Sequence, residues 1–250
     1  MNSKLSGKIT LVTDGTGCVG AGIVRSLLHE NATVIVPAKS AHGIRQLKEY
    51  VADVAKGKLI TLLTDYPDYD KAFDIAENVI EEYGQIDLAV AAFDAPAASP
   101  CITELAITDW QKMTDENITA CFVSARIVLS FMKEFKHGMY ISISNTDDFE
   151  NKSSLALANI SALIQTEMAK LFFEEVKKHG LKYHHLFINN AVTRDKHTRL
   201  VHKDGWITPE AVGNYIVQLY LGETGTAENL FQWLLGKPIK EDAKIKQITK

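Results

Sequence analysis

The stretch Ile9-Thr10-Leu11-Val12-Thr13-Asp14-Gly15-Thr16-Gly17-Cys18-Val19-Gly20 decides how the chain folds. Its first five residues are apolar or β-branched and suit a buried strand. Residues 21–30 then place apolar side chains at helical spacing. Between them, Gly15, Gly17 and Gly20 fit the pattern G-x-G-x-x-G, after a strand and at the opening of a helix. A loop of this kind turns sharply, lets a pyrophosphate approach the backbone and aims a helix N-terminus at it. The same glycines also serve a tight strand-to-helix turn that binds nothing, so the motif alone leaves two readings.

The alternation begun here continues along the chain. Strand-length apolar runs fall at 9–13, 33–36, 58–63, 88–92, 139–143, 183–188 and 230–234, several of them almost continuously apolar. That pattern suits a parallel sheet covered on both faces. Helical candidates lie near 18–30, 40–55, 68–83, 108–136, 153–179 and 208–221. Thr108 with Gln111 reads as a capping box, and Thr208-Pro209 as a cap followed by proline in the first turn. Gly84, Gly138 and Gly180 follow helical runs, where a left-handed residue is wanted. The order predicts one α/β domain over 1–236, a Rossmann-like doubly wound parallel sheet of about seven strands, followed by a charged tail at 237–250.

Composition excludes several classes. With 27 Lys+Arg against 31 Asp+Glu the net charge is −4, and the basic residues are scattered, so no nucleic-acid partner is expected. No apolar run approaches the ~20 residues of a membrane span, and the first residues lack the apolar stretch of a signal peptide. Cys18, Cys101 and Cys121 form neither a CxxC pair nor an even set, which fits a reducing, cytoplasmic setting without disulfide framework or metal site.

Residues 4–20, with Thr13, Gly17 and Gly20 spaced as in TGxxGxxG, resemble the start of the short-chain dehydrogenase/reductase family. The resemblance extends over roughly 4–236. Leu63-Thr64-Asp65 is similar to the segment whose Asp lies near the adenine, and Asp115-Glu116-Asn117 to the D-x-N motif whose Asn supports the proton relay. It implies a nicotinamide dinucleotide held by Thr13, Asp14, Gly15, Thr16, Gly17, Val19 and Gly20, with Asp65 beside it. No acidic residue follows the second strand to hold a ribose 2′-hydroxyl, and Lys39 stands there instead, which favours NADP(H) over NAD(H). Lys39 also reads as a solvated residue before a helix.

The departures are as informative. The glycine after Thr13 is replaced by Asp14, whose carboxylate would repel a phosphate ~6 Å away by about 2–3 kcal/mol at an effective dielectric near 20. The family's N-N-A-G reads Ala91-Ala92-Phe93-Asp94. Its catalytic Ser, Tyr and Lys positions fall on Asn145, Ala158 and Ala162, and no tyrosine occurs between Tyr140 and Tyr183. Alanine carries no ionisable proton, and general acid–base catalysis is typically worth 10²–10⁴-fold. The resemblance therefore implies a family member without the usual relay. The alternatives are an oxidoreductase with substituted groups, or a non-catalytic scaffold or regulatory subunit.

Candidate replacements at the carboxyl ends of the strands are Asn117, Ser144, Asn145 and Asp94. Asp147, Asp148 and Lys152 read better as solvated loop residues, and the basic segment 194–206 as a charged surface loop able to meet an acidic ligand. His184 and His185 point to opposite faces of one strand and suit core or rim positions. The resemblance implies that the two long helices, near 108–136 and 153–179, build a homo-oligomer, a dimer or tetramer, around a small-molecule site, and their apolar stripes are equally explained by packing on their own sheet.

Overall fold

The computed structural model describes residues 3–66, 68–93, 99–145, 156–189, 207–225 and 228–235. Asp94, Asp147, Asp148, Lys152, the segment 194–206 and the tail 237–250 lie outside the described residues. Seven strands form a single parallel sheet: β1 (Ile9–Thr13), β2 (Thr33–Ala38), β3 (Lys58–Leu63), β4 (Leu88–Ala91), β5 (Met139–Asn145), β6 (Lys182–Asn189) and β7 (Phe231–Leu235). Their order is β3-β2-β1-β4-β5-β6-β7, so the chain winds outward one way from β1 and then the other way from β4. The expected doubly wound sheet is present, and its topological switch point lies between β1 and β4. No helix among the described residues is long and apolar enough to cross a membrane.

Helices α1 (Cys18–His29), α2 (Ala41–Tyr50), α3 (Tyr69–Tyr83), α4 (Ile107–Met113), α5 (Ala120–Phe135), α6 (Ala156–Lys177) and α7 (Pro209–Leu221) cover both faces. Strand alternation divides the core between them. Val12, Val34, Val90 and Ile141 pack under α1 and α7, while Leu11, Ile35, Ala89 and Tyr140 pack under α3 and α5. Such two-sided burial explains why the strands read as continuous apolar runs.

Helix ends only partly follow the sequence. Thr208 Oγ1 accepts from Ala211 N at 3.1 Å with Pro209 in the first turn, and Gly84 closes α3 at φ 80°, both as expected. Ser40 and Asp68 cap α2 and α3 through Gly43 N and Lys71 N. Thr108 is not the cap: α4 begins on Ile107, with Ala106 two residues before Thr108 in the cap position. The single helix expected over 108–136 is instead α4, a wide π turn at Thr114–Thr119, and α5. Lys136, not Gly138, takes the left-handed position ending α5, at φ 52°.

Two contacts fix the frame around the switch point. Helices α1 and α7 meet through glycines: a Cβ on Gly22 would fall 2.1 Å from the Pro209 carbonyl carbon, and one on Gly213 would fall 2.5 Å from the Gly22 oxygen. At the amino-terminal edge of the sheet, Asp87 has a fully buried carboxylate that accepts from Ile9 N, Lys8 Nζ and His137 Nε2, each at 2.9 Å, and from Gln85 Nε2 at 3.0 Å. Burial pushes its pKa up, but these bonds outweigh burial and hold it below the usual carboxylate value.

Gly22→Val is expected to cost at least about 1–3 kcal/mol through overpacking against α7. That corresponds to about 2–4 °C in the thermal midpoint per kcal/mol for a chain of this size, and an unchanged midpoint would show that α1 and α7 are not in backbone contact. Asp87→Ala is expected to lose about 1.5–3 kcal/mol at neutral pH. Because the folded pKa is depressed, that contribution is present above the ordinary carboxylate range and is lost as pH falls through the folded value. The stability gap between wild type and Asp87→Ala in urea unfolding therefore narrows below about pH 4.

Candidate functional site

The carboxyl ends of β1, β4 and β5 meet beside the switch point, where open α/β sheets bind ligands. The turn from β1 into α1 forms one wall. Asp14 sits in the left-handed region at φ 54°, and its carbonyl accepts from Gly17 N at 3.0 Å. A Cβ on Gly20 would lie 2.2 Å from that carbonyl oxygen, and one on Gly15 would lie 2.7 Å from Val36 Cγ1. Both glycines are thus required by contacts inside the protein. Gly17 differs: the group beside it is the Asp14 carboxylate, whose Oδ2 would be 2.9 Å from an added Cβ. The Asp14 carboxylate therefore lies along the turn at the amino terminus of α1.

The other residues divide by strand alternation and helical phase. Thr13 gives its hydroxyl to the Val90 carbonyl at 3.3 Å and serves the sheet. Thr16 lies between the turn and α2, where a Cβ on Gly43 would reach its side chain at 3.3 Å. Val19, Ala92, Phe93, Ile143, Asn145 and Ile188 line a crevice of about 10 Å³, so apolar side chains nearly fill it. Asn145 Oδ1 is buried there with no hydrogen-bond partner among the described residues. Ser144, the next residue back, belongs to the opposite face: its hydroxyl donates to Gln165 Oε1 at 3.1 Å, and Gln165 Nε2 donates to Ser161 Oγ. Ser144 thus ties β5 to α6 while Asn145 faces the crevice, because strand geometry turns neighbours to opposite sides.

Lys39, just past β2, reaches Asp65 at 3.4 Å and Glu116 at 3.5 Å. All three side chains are about half exposed, so these pairs are weak and exchangeable. The sequence pointed to Lys39 and Asp65 separately, and gave no signal for Glu116, which reaches them from the π turn. Asn117 is buried in that same turn and donates to the Met113 carbonyl at 3.3 Å. It lines a cavity of about 250 Å³ with Ser99, Leu105, Met113 and Leu157.

Ala158 and Ala162 lie on α6. Ala158 packs with Leu157, Met113, Leu105 and Ile118, and Ala162 follows one turn later with its carbonyl accepting from Thr166 Oγ1. The buried tyrosines offer no substitute. Burial pushes the Tyr66 phenol up to about 12 and raises Tyr140 and Tyr183 further, the opposite of what a catalytic phenol requires. His184 and His185 belong to the core as expected. His185 Nδ1 lies 2.7 Å from Ser142 Oγ, burial lowers its pKa to about 3, and no metal-holding cluster exists among the described residues. Phe93 was missed from sequence. It stands where the related motif has a small residue, packs near Tyr66 and closes the crevice from the β4 side.

Comparison with known proteins agrees with this geometry. An uncharacterized oxidoreductase of Staphylococcus saprophyticus is 25% identical over 175 residues, 67% of this chain and 74% of that protein. Among solved structures, a metagenomic short-chain oxidoreductase in complex with NADP superposes with a TM-score of 0.73 at 19% identity, covering 96% of this chain and all of that one. NAD+-bound xylitol dehydrogenase superposes at 0.77 with 12% identity, covering 94% of this chain and 100% of that one. The family model described as short chain dehydrogenase matches residues 8–157. The chain belongs to the short-chain dehydrogenase family.

Proposed function

We propose that the protein holds NADP(H) at the β1–β4 switch point and does not carry out the standard carbonyl reduction of its relatives. The observation that carries this reading is the pair Ala158 and Ala162, which put an apolar surface where a proton donor and its activating cation would stand. The residues present suit a dinucleotide. The turn Gly15–Gly20 leads into the amino terminus of α1, and the unpartnered Asn145 Oδ1 faces the crevice as an acceptor. Lys39 supplies the cation for a 2′-phosphate by exchanging its carboxylate partners, and no acidic residue of β2 competes for a ribose 2′-hydroxyl. The bound nucleotide supplies hydride chemistry. The chain's own residues bind it, exclude water through Phe93 and Ile143, and offer no group on α6 to move a proton.

Asp14 sets the strength of binding. Its carboxylate lies beside Gly17, where it would repel a diphosphate ~6 Å away by about 2–3 kcal/mol. A homo-oligomer accompanies this reading, supported by the outward side chains of α5 and α6. Phe122, Phe135, Leu163 and Leu171 are all exposed, Leu171 by 74%.

Fluorescence titration of the purified protein is expected to show tighter binding of NADPH than of NADH. The preference should vanish in Lys39→Glu, and Asp14→Gly should tighten both cofactors by about tenfold or more, in keeping with removal of a charge repulsion of about 2–3 kcal/mol. Equal affinity for both cofactors in wild type would remove the assignment to NADP(H). With deuteride-labelled NADPH and a broad carbonyl panel, wild type is expected to give no stereospecific transfer. The variant Asn145→Ser/Ala158→Tyr/Ala162→Lys is expected to gain it. Robust transfer by wild type would establish instead an oxidoreductase with substituted acid–base groups.

A further inference from the structure

The sheet has an unguarded edge on the side away from the nucleotide crevice. Among the described residues β3 is hydrogen-bonded only to β2, in unbroken parallel register from Lys58 to Leu63. Lys58 N donates to the Ala32 carbonyl and Thr64 N to the Ala38 carbonyl, so the even-numbered residues face β2. By strand geometry, Leu59, Thr61 and Leu63 turn their N–H and C=O groups outward. Proteins usually blunt such an edge with a charge, a proline or a bulge. From Leu59 to Leu63 this strand has none of them. Its one lysine, Lys58, is folded back onto Tyr83, with Nζ 3.1 Å from the hydroxyl. Leu63 is 64% exposed.

Beside this edge lies a groove of about 470 Å³ between β3 and α3, within the ~300–1,000 Å³ range of binding clefts. Ile60, Leu62, Ile75 and Val79 give it an apolar floor, and Asp74 and Glu82 stand on the α3 wall. On the groove side α3 presents two carboxylates, Asp74 and Glu82, with Asn78 between them, and a single lysine, Lys71, which is paired to Asp68 at 3.4 Å. From Lys71 to Glu82 the helix extends about 17 Å at 1.5 Å per residue, the length of about five residues of strand.

We propose that β3 and α3 form a docking groove that takes an extended basic segment of a partner protein as an added strand. The outward N–H and C=O groups of Leu59, Thr61 and Leu63 bind its backbone. Apolar side chains at alternate positions enter the floor, and a Lys or Arg between them reaches Asp74 or Glu82. This is strand addition against a helix-flanked edge, in which main-chain bonds give affinity and alternate side chains give selectivity. A second copy of this chain suits the groove poorly. Pairing β3 with itself about a twofold axis brings two acidic α3 helices toward each other.

The test uses the full chain and a fluorescein-labelled peptide, acetyl-Thr-Val-Thr-Arg-Thr-Val-Thr-amide, with a counterpart carrying Glu in place of Arg. Anisotropy is expected to show saturable binding of the Arg peptide and at least tenfold weaker binding of the Glu peptide. Asp74→Lys/Glu82→Lys should reverse that order. Thr61→Pro removes an outward N–H that the sheet does not use and should abolish binding while the far-ultraviolet spectrum is kept. Should that variant fail to fold, N-methylation of alternate peptide amides replaces it and should weaken binding equally. In hydrogen exchange, the amides of Leu59, Thr61 and Leu63 should slow on binding, and those of Ile60 and Leu62 should not change. No saturation up to about 1 mM, equal binding of both peptides, or indifference to every variant would overturn the proposal. So would a dimer that Thr61→Pro dissociates in the absence of peptide binding, which would assign the edge to a second copy.

Discussion

A buried carboxylate holds the two halves of the sheet together. Asp87 opens β4, and its carboxylate accepts from the backbone of β1 and from the side chains of Lys8, Gln85 and His137. Its main chain continues the same work: its N–H donates to the Ile9 carbonyl, and its carbonyl accepts from Met139 N. One residue therefore joins β1, β4 and β5 where the winding direction reverses. The opposite ends of those three strands form the candidate site. A shift of β4 relative to β1 at the amino-terminal edge would carry Ala92 and Phe93 out of line with Val19 and Asn145. The charge that fixes this register is sequestered far from any ligand.

Much of this was legible in the chain, for identifiable reasons. Strands buried on two faces leave uninterrupted apolar runs, so Ile9–Thr13 could be read to the residue. Caps were less legible. Thr108 and Gln111 have the spacing of a capping box, yet the cap position falls on Ala106, which offers no side-chain acceptor. The break at Thr114–Thr119 left no trace either, because the apolar spacing on each side is helical and only its phase changes. Ser144 and Asn145 illustrate a further limit. Adjacent residues at the end of a strand look equally available in sequence, and only the packing of α6 shows which faces the crevice.

The glycine turn is where sequence and structure constrain each other most closely. Gly15 and Gly20 answer to Val36 and to the Asp14 carbonyl, so they would be required even in a turn that bound nothing. The motif is thus evidence about backbone geometry first. A diphosphate approaching the turn would meet a separate constraint, the Asp14 carboxylate beside Gly17. Backbone geometry and the charge of the turn are thus written in different residues of one short loop. Family membership rests on residues 8–157, and the proposed loss of the usual relay rests on Asn145, Ala158 and Ala162.

The wide turn between α4 and α5 acts as an angular adjustment. Each residue of an α-helix advances the side-chain direction by ~100°, and widening one turn alters how the two flanking segments are clocked. Here Met113 is aimed at Leu157 and Ala158, whereas Ala120 and Cys121 are aimed down at the sheet. Asn117 lies at the junction, buried, with its amide on the Met113 carbonyl that the widened turn exposes. Removing a single residue here would swing α4 around its own axis relative to α5. Met113 would then lose its place against α6, and Glu116 its reach toward Lys39. The length of that one turn, more than the identity of any residue in it, sets how α4 closes over the carboxyl end of the sheet.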